Sequence, residues 1–206
     1  MGRVCILDYG SGNVRSVFNL FSKIAKQVVV SNEPAEIQQA THIVLPGVGA
    51  FSAAMRKIRE RLPMEELEQA VLSDKKPFLG ICVGMQVLAT CGMEFGESPG
   101  LGWIGGRVEK VDSKHLPLPH IGWNNITCKQ SSPLLAGLGD DPDFYFVHSY
   151  FVDPDDKTVT AGITEYGISF CSMLIKDNLI ATQFHPEKSG ELGLKMYDNF
   201  LKSACK

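Results

Sequence analysis

Short, uniformly apolar runs alternate with stretches of helical periodicity through the first half of the chain. Val4, Cys5, Ile6 and Leu7 form one such run, closed by Asp8-Tyr9-Gly10-Ser11-Gly12-Asn13. Val14, Val17, Phe18, Phe21 and Ile24 then recur at the spacing of a helix buried along one face. Residues 28–30 are β-branched, Glu33-Pro34 opens a short helix, and Ile43-Val44-Leu45 is an apolar run ended by Pro46-Gly47. Residues 50–60 and 63–73 read as helices, 77–81 as a buried strand, and 85–89 as the start of another helix. Strands this uniformly apolar are buried on both faces, so the pattern predicts an α/β fold of three layers, α/β/α, around a mostly parallel central sheet. From about Gly100 onward the segments become turn-rich and alternating, at 107–111, 125–128, 145–147, 158–163 and 168–174. These predict antiparallel strands added in the C-terminal half. Apolar positions at Leu192, Met196, Phe200 and Leu201 close the chain as a helix.

Composition narrows the function classes. A length of 206 residues suits one sizeable core, so a single domain spanning 1–206 is expected. The formal net charge of -3 offers no excess that would attract nucleic acid or an anionic membrane, which leaves a small molecule or a protein as partner. Six cysteines (Cys5, Cys82, Cys91, Cys128, Cys171 and Cys205) contain no C-x-x-C pair, which disfavours a zinc site and a disulfide framework and fits a reducing compartment. Asp8 cuts the first apolar run too short for a signal peptide, no run approaches membrane-spanning length, and Ile6 stands where a myristoylation motif wants Ser or Thr. A cytoplasmic protein is expected.

The richest candidate chemistry lies in Gly80-Ile81-Cys82-Val83-Gly84, an apolar strand running through G-x-C-x-G into a helical pattern. This is the cysteine form of a nucleophile elbow, in which a sharp turn strains the central residue and flanking glycines remove side chains that would collide. A helix N-terminus behind it would favour the thiolate. Taken alone, Cys82 fits a buried small hydrophobe equally well. A thiol nucleophile needs a base, and the base needs an orienter. His185-Pro186-Glu187 offers both, because Glu187 returns two residues on, within reach of the ring; alone, the segment also fits a surface turn. Together the elbow and the dyad favour catalysis. Oxyanion donors are expected from the amide of Val83 and from the glycine turn Pro46-Gly47-Val48-Gly49, although Gly47 and Gly49 alone could be turn glycines. Gly10-Ser11-Gly12 is no dinucleotide fingerprint, since Arg15 occupies the third glycine position. His42 and His115 read as structural, His120, ahead of a Gly122-Trp123-Asn124 turn, as either, and His148 as a polar contributor to a substrate site.

The motifs G-x-C-x-G-x-Q at 80–86, Pro46-Gly47-Val48-Gly49 and His185-Pro186-Glu187 together resemble those of the class I (triad) glutamine amidotransferases. That resemblance implies Cys82 as nucleophile, His185 as base and acid, Glu187 as its orienter, glutamine as substrate, a glutamyl thioester intermediate, and no metal or organic cofactor. Within the class the chain is similar along nearly its whole length to the glutaminase subunits of imidazole glycerol phosphate synthases of histidine biosynthesis. Asp8–Asn13, 45–51, 119–124, 145–150 and 185–189 carry the similarity. It implies that Val48, Gly49, Gln86, His148, Ser149 and Tyr150 line the glutamine pocket. Asn13, Trp123, Tyr145 and Lys188 would face a (β/α)8-barrel cyclase subunit, the heterodimer partner that receives ammonia through a tunnel. Because the sequence ends at Lys206, the cyclase is expected on a second polypeptide. The Pro46–Gly49 turn is expected to lack a correctly aimed amide until the liganded cyclase docks, with Asn13 helping to hold the inactive arrangement. Rival readings are the glutaminase subunit serving pyridoxal phosphate synthesis, which should differ in these loops; a catalytically silent regulatory module, which the intact triad disfavours; and a cysteine peptidase of the same layered fold.

Overall fold

The computed structural model describes residues 2–203, so Cys205 lies outside the described residues. Its strands are β1 (Arg3–Ile6), β2 (Gln27–Val30), β3 (His42–Gly47), β4 (Phe78–Cys82), β5 (Cys91–Gly92), β6 (Ser98–Pro99), β7 (Gly106–Lys110), β8 (His120–Asn125), β9 (Thr127–Cys128), β10 (Asp143–His148), β11 (Tyr150–Pro154), β12 (Thr160–Tyr166), β13 (Ile168–Lys176) and β14 (Leu179–Thr182). The helices are α1 (Val14–Phe21), α2 (Pro34–Gln39), α3 (Phe51–Arg61), α4 (Met64–Glu68), α5 (Val83–Gln86) and α6 (Gly190–Leu201).

The main sheet has eight strands in the order β2-β1-β3-β4-β14-β13-β12-β9. β2 through β14 in that order are parallel to one another, and β13, β12 and β9 continue the sheet antiparallel. The central parallel strands β3, β4 and β14 are buried at every position because helices cover both faces, whereas the edge strand β2 keeps its ends exposed. Right-handed crossovers dictate which helix covers which face. The step from β1 to β2 runs opposite to the steps from β2 to β3 and β3 to β4, so α1 covers one face and α2, α3 and α4 the other. α6 returns to the α1 face, where Tyr197 stacks on Phe21 with ring centroids 4.2 Å apart. The carboxyl ends of β1, β3, β4 and β14 therefore open at one edge of the sandwich, where α/β sheets bind their ligands.

Four details differ from the sequence expectation. β3 continues through Pro46 and Gly47 instead of ending at Leu45. Leu7 N–H donates to the Val44 carbonyl, so Pro46, two residues on, faces the same side, where the pairing of β1 has already ended and no N–H is required of it. The Gly122-Trp123-Asn124 stretch, read as a turn, is strand β8, paired in register with β10. The antiparallel strands do not all join the main sheet: β8 and β10 form a separate ribbon, and β11, β7, β5 and β6 a small third sheet. β11 was not anticipated as a strand.

Candidate active site

The end of β4 is an elbow fixed by close packing. Cys82 turns at φ +55°, ψ −111°, a conformation costly for any side-chain-bearing residue, and is nearly sealed from solvent. A Cβ at Gly80 would press on the Gly84 carbonyl, and one at Gly84 would overlap the Leu45 carbonyl oxygen on β3. Gly84 is therefore required by the approach of β3 and Gly80 by the return of the chain at Gly84, as the motif predicts. The helix behind the elbow is only the turn Val83–Gln86, so little macrodipole sums there and nearby donors must serve an anionic sulfur.

β14 runs beside β4 with Thr182 opposite Ile81, which releases the following residues next to Cys82. The strand stops three residues before His185. His185 is held instead by its own N–H on the Tyr145 carbonyl (2.9 Å) and by a short helical turn, Pro186–Lys188, tied back when Ser189 Oγ donates to the His185 carbonyl (2.7 Å). This turn brings Glu187 Oε1 to 2.7 Å from His185 Nδ1, both side chains being shut off from water. Burial alone would lower the His185 pKa, but hydrogen bonding to Cys82 and Glu187 and their negative charges outweigh it and raise it to about 10. The arrangement favours an imidazolium between the sulfur and the carboxylate. His185 Nε2 has no nitrogen or oxygen partner among the described residues, which leaves it to exchange a proton with the sulfur.

Cys82 and His185 open into a cavity of about 460 Å³, lined also by Val48, Gly49, Val83, Gln86, His148, Ser149 and Tyr150, every residue expected around the substrate apart from Gly47. Gly47 is buried opposite Cys82 in the β3–β4 register, with the Tyr9 side chain against it. A cavity of about 620 Å³ exists elsewhere, but its lining has neither a nucleophilic cysteine nor a histidine. Gly49 takes φ +93° with no atom near the position of a Cβ, and Val48 is 42% exposed. Gln86 Nε2 donates to the Tyr150 carbonyl (3.0 Å) and Gln183 Oε1 (3.1 Å). His148 bonds the Tyr150 carbonyl through Nδ1 (2.9 Å), and burial pushes its pKa down to about 3.

The residues expected towards a partner also gather. Trp123 and Tyr145 are cross-strand neighbours on the outer face of the β8–β10 ribbon, and the Lys188 ammonium lies 5.3 Å from the centre of the Tyr145 ring. Lys188 lines the cavity as well. Asn13 stands at the N-cap of α1 without capping it; its amide donates to Glu187 Oε1 at 3.2 Å instead. Sequence reasoning missed Glu94, Pro119 and Val147 in the cavity wall and Gln183 against Cys82 Sγ at 3.6 Å; His120, which it left open, has its Nδ1 3.1 Å from His148 Nε2. Glu94 carried no local signal. Gln183 did, through its adjacency to Phe184-His185.

A family model described as "Glutamine amidotransferase class-I" matches residues 5–204. "Imidazole glycerol phosphate synthase subunit HisH" of Geobacter sulfurreducens is 44% identical over 97% of this chain and 98% of its own. The HisH 1 protein of Methanococcus maripaludis is 45% identical over 97% of this chain and 98% of its own. Among solved structures, one described as a glutamine amidotransferase superposes with a TM-score of 0.74 at 18% identity, covering 97% of both chains. PurLQS from Thermotoga maritima gives 0.71 at 16% identity over 98% of both chains. At those identities the likeness speaks for the fold.

Proposed function

Since the chain belongs to the class I glutamine amidotransferases, and within them to the HisH subunits of imidazole glycerol phosphate synthase, we infer that Cys82, His185 and Glu187 carry out its glutaminase reaction. The activity is hydrolysis of glutamine to glutamate and ammonia for histidine biosynthesis. The observation that carries the residue assignment is the shared cavity into which a strained cysteine and a carboxylate-held histidine both open.

Cys82 Sγ attacks the carboxamide carbon of glutamine while its proton resides on His185 Nε2. Negative charge on the carbonyl oxygen is met by the amide of Val83 and by an amide of the 47–49 turn. Collapse of this intermediate breaks the C–N bond, and His185 gives its proton to the departing nitrogen, which leaves as ammonia. Water then attacks the thioester, His185 takes its proton, and release of glutamate returns the thiol. Glu187 keeps the ring's Nδ1 hydrogen-bonded throughout. Glu94 brings a carboxylate to the cavity wall; one oxygen accepts the Phe51 N–H at 2.8 Å, and the other suits the ammonium of the substrate.

The partner is a cyclase subunit of (β/α)8-barrel form, docked as a heterodimer over Trp123, Tyr145 and Lys188. The exposed Val48 and unobstructed Gly49 support a turn that swings an amide into the oxyanion site on docking, and Asn13, bonded to the catalytic carboxylate, connects the resting arrangement to that face. No helix among the described residues is long and apolar enough to cross a membrane, and we place the protein in the cytoplasm as one domain over 1–206. Ammonia release from glutamine should be low for the isolated chain, rise on addition of the cyclase with its ribonucleotide ligand, and vanish in Cys82→Ala. Full activity without the cyclase would overturn the docking-dependent turn; activity in Cys82→Ala would overturn the nucleophile.

A further inference from the structure

Gln183 is fully buried at the end of β14, with its backbone N–H on the Ser172 carbonyl at 2.9 Å. Its side-chain amide has one permitted orientation. Gln86 Nε2 donates to the Tyr150 carbonyl and to one atom of the Gln183 amide, so that atom must be the oxygen. The nitrogen of Gln183 is thereby aimed at Cys82 Sγ, 3.6 Å away. The Tyr150 carbonyl is itself a fixed point. It accepts from His148 Nδ1, so His148 Nε2 must accept from His120 Nδ1 (3.1 Å), and His120 Nε2 accepts from Asn124 Nδ2 (3.3 Å). Burial keeps both histidines neutral, which suits these tautomers. Two donor chains thus converge on one carbonyl, and the second continues through Gln86 and Gln183 to the sulfur.

We propose that Gln183 is a positioning residue for the nucleophile, its side-chain N–H, aimed by Gln86, holding the Cys82 sulfur as an oriented thiolate. The inference rests on the assignment of Cys82 as nucleophile. A donor to the anion supplies what the one-turn helix α5 cannot, because a hydrogen bond to a charged acceptor is stronger than one to the protonated thiol. A purely architectural glutamine would satisfy Gln86 and leave the reactivity of the sulfur unchanged.

The test is iodoacetamide alkylation followed peptide by peptide, so that Cys82 is read apart from the half-exposed Cys91 and Cys128. Wild type, Gln183→Leu and Gln183→Glu are compared across the neutral pH range, together with kcat and KM for glutamine in the assembled synthase. Gln183→Leu should be alkylated at Cys82 about tenfold more slowly at neutral pH, its profile displaced to higher pH, because less thiolate is held. Gln183→Glu should be displaced further by the like charge. In both, kcat should fall about tenfold or more while KM stays within about twofold, since the residue acts through the nucleophile. Alkylation profiles superimposed on wild type in folded Gln183→Leu would overturn the proposal. Should that variant fail to fold, Gln183→Met, unbranched and of similar length but with neither donor nor charge, decides the question by the same criterion. Glutaminase activity persisting in Cys82→Ala would instead remove the nucleophile assignment, a failure the alkylation profile does not share.

Discussion

At the end of β4 Cys82 turns between two glycines that have no room for a side chain, whereas at the end of the adjacent β3 Gly49 turns at φ +93° with open space around it. Both loops take part in the reaction proposed above. The elbow is over-determined: β3 presses on Gly84, Gln183 reaches the sulfur, and His185 is tied to β10 and Ser189. The oxyanion turn is held as tightly at Gly47, with Tyr9 and Val83 against it, but beyond Gly47 the restraint ends: Val48 is exposed and Gly49 has open space around it. A nucleophile must keep one geometry in every state, while a donor that is to be supplied on demand must be able to move. If docking of the partner supplies the second oxyanion donor, as proposed, the looser loop is the one able to move.

The largest effect should come from the tight side. Gly84→Ala forces a methyl into the Leu45 carbonyl, an overpacking against backbone that cannot yield without displacing β3, and should cost about 3 kcal/mol or more. Urea unfolding would measure it. A variant as stable as wild type would show that the elbow is not fixed by β3.

Acid and alkali should then affect different regions. His148 and His120 beneath the ribbon are pushed down by burial to about 3 and about 4. Unfolded, they bind protons near pH 6.5, so stability should fall as the pH drops below that value towards 4. His185 has the opposite sign. Its folded pKa is raised, so its contribution is complete below about pH 6.5 and is lost as the pH rises through about 10. Thermal unfolding from acid to alkaline pH should show both limbs. In His148→Phe and His120→Phe the acid limb should flatten while the alkaline limb persists; an unchanged acid limb would contradict the burial assignment.

Gly49→Ala comes third. Its cost to stability is set by the positive φ alone, about 1 kcal/mol, because nothing obstructs the methyl. Its cost to cyclase-stimulated glutaminase should be greater, about tenfold, if the turn must move. Equal losses in the isolated chain and the assembled synthase would place the effect in the resting fold instead.

The contrast also governs how far the site could be read from the sequence. The elbow was visible because its strain is met locally, by glycines two residues either side of Cys82, and the His185–Glu187 pair because two residues suffice to bring carboxylate to ring. Gln183 lies 101 residues from Cys82 along the chain, and its role depends on Gln86 and the Tyr150 carbonyl, which only the fold brings together. The parallel half was legible through its apolar runs. In the antiparallel half, alternation announces a strand without naming its partner, and Gly122-Trp123-Asn124-Asn125 has turn composition that pairing with β10 overrides. The detached ribbon was therefore not foreseen.

That ribbon supplies the smallest expected change in stability. Along β8, His120 and Asn124 point inward to the hydrogen-bond chain, while Ile121 and Trp123 are 58% and 59% exposed. Trp123→Ala removes a side chain that meets little of its own core beyond the edge of Tyr145, so the unfolding free energy should change by no more than about 0.5 kcal/mol. An exposed tryptophan clustered with a tyrosine and a lysine has the make-up of a binding hot spot, and here the dissociation constant for the cyclase should rise at least about tenfold. Calorimetric titration of one protein into the other would measure it. Lost stability with unchanged affinity would mean that Trp123 belongs to the fold; unchanged stability with weakened docking would place the cyclase on the outer face of the same ribbon whose inner face reaches Tyr150 and the nucleophile.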